Sequence, residues 1–210
     1  MTSETPEGIP AGMVEDARAS WPPRELIDSF LGSFPHDFEW RPGETIEVDS
    51  EEAQAQARLF RDVLGRYASG VTVVTTVSGG IPTGMTCQSF TSVSLDPPLV
   101  AFLPTKQSRA FGSIQRAGTF CVNFLGRGQE AISNQFASRA DDKFDGIEWE
   151  PSAGTGSPRL AGTVGHVDCT VFAVHEAGDH YLVIGKVVDL AVDEAEEPLL
   201  YYRGAYRTTA

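Results

Sequence analysis

Residues 71–77, Val-Thr-Val-Val-Thr-Thr-Val, are β-branched without exception. Such side chains are stiff at χ1, crowd a helix and pack well on a pleated surface, so the run predicts a buried strand. Ser78-Gly79-Gly80 follows directly, and adjacent glycines supply the positive φ angles of a tight hairpin turn. The next strand is expected over Thr86–Ser94, ended by Pro97-Pro98, because neither proline can donate to a sheet ladder. Further apolar strands are expected at Leu99–Leu103, Thr119–Leu125, His166–Val174, Tyr181–Val188 and Leu199–Tyr206, with a tight turn at Glu176–Asp179. Helices are few. One over 51–68, capped by Ser50, would bury Leu59, Phe60, Val63, Leu64 and Tyr67; one opens at Ser108 with Ala110, Phe111 and Ile114 on one side; one spans Gln129–Ser138 with Ile132 and Phe136 inward. The fold class is therefore mainly β (α+β), an antiparallel barrel with helices at its rim.

The stretch Thr86-Cys87-Gln88-Ser89-Phe90-Thr91-Ser92-Val93-Ser94 puts five hydroxyls and one amide into nine positions, and no charge occurs between Thr83 and Leu95. A surface loop this polar usually carries charge, and a buried strand usually carries fewer hydroxyls. Uncharged donors in a nearly apolar stretch suit a ligand with many oxygens and a flat ring.

Lys106, Ser108 and Arg109 stand where a strand gives way to a helix. Free N–H groups at a helix start favour an anion, and two cations reinforce that. A capped helix with two solvated charges is the plainer reading of the same residues. His175 and His180 flank a four-residue turn, and His166 and Asp168 share a strand face. Their spacings match no common zinc pattern, so no metal site is expected. Nor does the chain contain GxGxxG after a strand, a GxSxG elbow or a P-loop.

Charge divides the chain. Of 29 acidic and 16 basic residues, 13 and 3 respectively lie within residues 1–57. Residues 1–50 are expected to form an acidic, partly disordered extension with a short helix near Arg24–Phe34, and residues 51–210 the folded domain. Neither part has the basic stripe a nucleic acid requires. No run of 18 apolar residues occurs and the start lacks the pattern of a signal peptide, so a cytoplasmic protein is expected. Three widely spaced cysteines, Cys87, Cys121 and Cys169, read as small packed side chains rather than a disulfide framework.

Taken together, Phe60-Arg61-x-x-Leu64-Gly65, Gly70-Val71-Thr72-Val73-Val74-Thr75, the Thr86–Pro98 segment, Phe120-Cys121-Val122-Asn123, Asp142-Lys143-Phe144, Gly178-Asp179-His180 and Tyr202-Arg203-Gly204 resemble, in order and spacing, the flavin reductase family with the FMN-binding split-barrel fold. The resemblance covers residue 58 to about 207 and leaves residues 1–50 without a counterpart. It implies an antiparallel split β-barrel and an NAD(P)H-dependent flavin reductase. Such an enzyme transfers a hydride from NADH to FAD or FMN, with NADPH as the alternative donor. It supplies the reduced flavin, by diffusion, to a partner monooxygenase. Cys87-Gln88-Ser89-Phe90, in place of the commoner Ala-Asn-Ser-Phe, points to the branch that hydroxylates phenolic or steroid-ring substrates.

The resemblance also implies site residues. Thr86, Cys87, Gln88, Ser89, Phe90, Ser92 and Val93 would line the flavin ring and ribityl chain. Gln107, Ser108 and Arg109 would hold the phosphate, with Ser113 and Ile114 nearby. His180, the candidate catalytic residue, and Tyr201, Tyr202, Arg203 and Gly204 would lie toward the nicotinamide. A homodimer is expected, since edge strands need cover. The competing readings are a non-catalytic flavin-binding or sensing protein and a split-barrel oxidase that retains its flavin.

Overall fold

A computed structural model describes residues 51–193 and 197–209. The acidic extension, its expected helix and the Ser50 cap lie outside those residues.

The chain opens with α1 (Glu51–Leu64), then β1 (Ser69–Gly70), β2 (Thr72–Ser78), β3 (Ile81–Cys87), β4 (Thr91–Leu95) and β5 (Pro98–Phe102). Next come α2 (Arg109–Ala117), β6 (Thr119–Phe124), α3 (Glu130–Ala137), β7 (Trp149–Pro151) and β8 (Pro158–Leu160). Two long strands, β9 (Gly165–Ala177) and β10 (His180–Val192), precede the closing hairpin of β11 (Leu200–Tyr202) and β12 (Ala205–Arg207).

Seven strands form one sheet in the order β3-β2-β6-β9-β10-β5-β4, antiparallel at every pairing. Its two edges, β3 and β4, are consecutive in the chain, and only Gln88, Ser89 and Phe90 separate them. Those residues can span at most about 14 Å. The sheet therefore has to curl until its edges approach each other. The barrel is closed there by chain continuity and not by a ladder, so it is split between β3 and β4. The expected single strand over Thr86–Ser94 is in fact these two strands and the break between them.

The turns follow from composition. Gly79 and Gly80 have φ of 60° and 80°, and Ser78 pairs with Ile81 around them, as a two-residue turn requires. Buried hydroxyls on β2 are satisfied by carbonyls: Thr72 donates to Cys87 O at 2.8 Å and Thr76 to Thr119 O at 2.8 Å. Asn123 on β6 donates to Val73 O and Pro158 O and accepts from Leu160 N, which fixes the β7–β8 ribbon to the barrel.

Phe102, Phe111, Ile114, Phe120, Val122 and Val183 centre the main core, with Phe102 and Phe120 edge-to-face at 5.1 Å. Gly185 makes room for it: a Cβ there would stand 2.3 Å from Phe120 Cζ. A second core of Val71, Val73, Leu125, Phe136, Phe144 and Leu199 packs α3 against the other side of β2.

Two further expectations need correction. α1 ends at Leu64, and its apolar face is not buried: Leu59, Phe60, Val63 and Leu64 are 54–64% exposed and Tyr67 is 81% exposed. Periodicity reports which side chains share a face, not what covers them. The final strand is two short ones, turned at Arg203 and Gly204, which both have positive φ. All three cysteines are free and buried, as expected. Among the described residues no helix is long and apolar enough to cross a membrane.

Candidate active site at the split of the barrel

A cleft of about 410 Å³ opens where β3 and β4 part. Its floor is the end of β3 and the break after it, Met85 to Ser89. One wall is the β5–α2 connection and the first turn of α2, Leu103 to Ala110. The other is the C-terminal end of α3 with the segment after it, Phe136 to Arg139 and Lys143. His180, at the start of β10, stands at the rim.

Local bonds hold these pieces in place. Thr86 Oγ1 donates to Ser133 O at 2.5 Å, tying the floor to α3. Ser89 Oγ donates to Leu103 O and accepts from Leu103 N at 3.0 Å, which joins the break to the end of β5. Cys87 Sγ lies 3.1 Å from Ser89 Oγ, and burial pushes its thiol pKa up. Gln88 is exposed on the cleft.

Ser108 is the N-cap of α2, in extended backbone, and its hydroxyl accepts from Phe111 N at 3.2 Å. The same hydroxyl lies 3.3 Å from Met85 Sδ. Arg109 donates to Arg139 O at 3.1 Å, with Asp141 Oδ1 3.7 Å away. His180 shares a 2.8 Å Nδ1–Oδ1 contact with Asp179, and that hydrogen bond holds the Asp179 carboxyl below its usual range. Lys106, Glu176 and Tyr181 form a neighbouring group: Lys106 pairs with Glu176 at 3.0 Å and lies over the Tyr181 ring.

Of the expected site residues, Thr86, Cys87, Gln88, Ser89, Gln107, Ser108, Arg109 and His180 meet in this one cleft. The others do not line it in the single chain. Phe90 turns inward against Phe124, with ring centroids 5.2 Å apart. Ser92 and Val93 are exposed on β4, Ser113 is half-buried on α2, and Ile114 is fully buried in the main core. Tyr201, Tyr202, Arg203 and Gly204 belong to the separate three-stranded sheet of β1, β11 and β12 and their connecting turn.

The far wall carried no expectation. Arg139 and Lys143 lie in a charged loop that reads as solvated, and only the packing of α3 on β3 brings them to the cleft. The Asp142-Lys143-Phe144 motif was the available signal. As for metals, His180 pairs with Ala177 and His175 with Leu182, and Asp168 is occupied by Thr155. Among the described residues no group of three or more His, Cys, Asp or Glu side chains is placed to hold a metal.

Residues 64–210 match the model of the flavin reductase-like domain family. The chain belongs to that family. It is 49% identical over 149 residues to the reductase subunit HsaB of a flavin-dependent monooxygenase from Rhodococcus jostii, covering 71% of this chain and 76% of that protein. A crystal structure of a nitrilotriacetate monooxygenase component B from Mycobacterium thermoresistibile superposes with a TM-score of 0.72 at 50% identity, covering 76% of this chain and 89% of that one. The Streptomyces globisporus NADH:FAD oxidoreductase SgcE6, solved in complex with NAD and FAD fragments, superposes with a TM-score of 0.70 at 37% identity, covering 77% and 95%. The family match begins at the end of α1 and leaves most of that helix outside it.

Proposed function

We propose that this protein is an NADH:flavin oxidoreductase that reduces FMN or FAD and releases the reduced flavin to a partner monooxygenase. The observation that carries this reading is the composition of the cleft: an uncharged, hydroxyl-rich floor at Thr86–Ser89 beside a capped helix start with Arg109. The floor suits a flat, oxygen-rich ring and its polyol chain, and the helix start suits the phosphate. The volume lies within the range of small-molecule sites.

Flavin supplies the hydride acceptor. The protein's part is alignment, because hydride transfer between two stacked rings needs orientation and exclusion of water more than a general acid or base. The floor hydroxyls are pinned by α3 and Leu103, so they offer a pre-set surface. His180, held by Asp179, stands where it can contact the nicotinamide nucleotide. The relatives' names favour NADH as donor and an oxygenase as recipient. The exposed apolar side chains of α1, with Leu190 at 61% and Val192 at 89% on β10, favour a homodimer. The cytoplasm is the expected compartment.

The test is NADH oxidation by the purified full chain with added free FMN or FAD. Turnover proportional to flavin at micromolar concentrations is expected; no flavin-dependent oxidation under any condition would sink the enzyme reading. Retention of yellow colour through long dialysis, without turnover, would favour the non-catalytic flavin-binding alternative.

A further inference from the structure

Two helix ends of opposite sign meet at the cleft. α2 presents its N-terminus, which attracts an anion. α3 presents its C-terminus, whose carbonyls repel one. Lys143 sits on that second end. Its Nζ donates to Phe136 O, in the last turn of α3, at 2.8 Å and reaches Gly84 O on β3 at 3.4 Å. Both partners are neutral carbonyls. Lys143 is half-buried and forms no ion pair among the described residues, whereas Lys106, Arg109, Arg127 and Arg159 each have a carboxylate within 4.0 Å. An ammonium partly withdrawn from water without a counter-charge is costly to keep.

We propose that Lys143 is an anion-binding residue of this cleft, whose ammonium completes its shell with the phosphate of a flavin nucleotide while its carbonyl bonds hold the end of α3 to β3. This rests on the reading that a flavin nucleotide occupies the cleft. The charged groups around it define the balance. Arg109 faces it from α2, Arg139, Asp141 and Asp142 lie on its own loop, and His180 stands at the rim; β3 carries no charge over Ile81–Cys87. Asp142 Oδ1 is taken by Phe144 N at 2.8 Å, and Asp141 faces Arg109.

A consequence follows from linkage. Burial first, and Arg109 second, bring the Lys143 pKa down to about 8. A bound phosphate favours the ammonium and raises that pKa again. Binding then takes up a proton whenever the pH is near or above 8. Affinity for a phosphorylated flavin is full below that value and declines as pH rises through it. The FMN phosphate stays doubly charged above about pH 7, since its second pKa is about 6, and the FAD pyrophosphate carries one fixed charge on each phosphorus, so neither contributes a slope there.

The experiment is titration calorimetry of the full chain with FMN, FAD and riboflavin from pH 7 to 9.5. It includes Lys143→Arg and Lys143→Met and uses buffers of differing ionisation enthalpy. Wild type is expected to take up protons with FMN or FAD near pH 8.5 and to lose affinity by up to about tenfold per unit above it. Lys143→Arg, which stays charged throughout, should bind both nucleotides with a flat profile. Lys143→Met should bind them at least about tenfold more weakly at pH 7, the loss of a charge-assisted bond, and bind riboflavin almost as well as wild type. The same pH slope in wild type and Lys143→Arg, or equal weakening of riboflavin and FMN by Lys143→Met, would overturn the inference. If Lys143→Met does not fold, the wild-type and arginine profiles still decide. Wild type that binds no flavin at all would instead overturn the proposed function.

Discussion

Gly84 lies directly beneath Phe136: a Cβ on residue 84 would stand 2.8 Å from Phe136 Cε1 and 3.1 Å from Val74 O. The close approach lets α3 rest on β3, and α3 in turn carries Ser133, the acceptor of the Thr86 hydroxyl, and Phe136, the acceptor of Lys143. One absent side chain thus sets how closely α3 approaches β3. Phe136 is fully buried and meets Phe144 edge-to-face at 5.0 Å, so it cannot swing clear at little cost. Gly84→Ala should lower stability by about 1–3 kcal/mol, as overpacking does, and should weaken flavin binding as well. Thermal unfolding and flavin titration on one sample check both effects. Unchanged stability would show that α3 can lift freely.

Ser108→Ala separates two roles of one hydroxyl. Loss of the cap on α2 should cost about 1 kcal/mol of stability. Flavin affinity should fall further, by about 1–3 kcal/mol if the hydroxyl also holds phosphate. Arg109→Ala, which removes no cap, should weaken flavin binding with little change in melting. Titration showing both variants at wild-type affinity would place the phosphate elsewhere.

The barrel was legible in the sequence where side-chain shape alone decides. The β-branched run of β2 and the glycine pair after it appear where local chemistry puts them, while the expected Glu176–Asp179 turn tightens to Gly178-Asp179 because β9 continues to Ala177. The break between β3 and β4 was not, because Gln88, Ser89 and Phe90 continue the polar, uncharged character of the strands around them. Half of the candidate site was legible for a related reason. Thr86–Ser89 and Gln107–Arg109 are continuous segments whose composition speaks locally. Lys143 becomes a wall of the cleft only after Gly84 admits α3. Ile114 does not line the cleft in the single chain because helical periodicity turns it to the core.

The cysteines make a separate prediction. Burial pushes the thiols of Cys87, Cys121 and Cys169 up, and neighbouring Asp168 adds to the effect at the last two. A thiol kept protonated is a poor nucleophile. The native protein at pH 8 should react slowly with a disulfide reagent, and all three cysteines should react once it is unfolded. Cys87 borders the cleft, so flavin should slow whatever native reaction remains there. A rapid stoichiometric reaction in the native state would contradict the burial.

A further prediction concerns His180 and the nicotinamide donor. Its ring is held by the exposed Asp179 carboxylate at 2.8 Å, and the Thr105–His180 bridge seats it above the cleft. His180→Ala should raise KM for NADH more than it changes flavin affinity, the pattern of a lost binding contact. Asp179 has its pKa depressed, so the Asp179–His180 contact is fully present above the ordinary carboxylate range and is lost as pH falls through the lowered value. The Asp179 carboxylate is therefore ionised throughout the pH 6 to 8 range in which the effect of His180→Ala on KM is to be read. A mutant with wild-type NADH kinetics would leave only a structural role for this histidine.

The last prediction concerns residues 1–50. Eleven acidic and three basic residues lie there, the family match begins only at residue 64, and every residue lining the cleft falls between Met85 and His180. The two cores are built from residues 71 to 206. Hydride transfer asks nothing of an acidic segment outside the family match, and its net charge contributes no stability to a domain that is itself slightly acidic. Deleting residues 1–50 should leave flavin reduction within about threefold of wild type, a barrier change under about 1 kcal/mol. Losses should appear instead in solubility or in the yield of oxygenated product when the oxygenase is added. Steady-state NADH oxidation beside a coupled oxygenase assay reads the two separately. A truncated protein that folds yet no longer binds flavin would mean that the segment covers the cleft, and the assignment of the site to residues 85–180 alone would then fall.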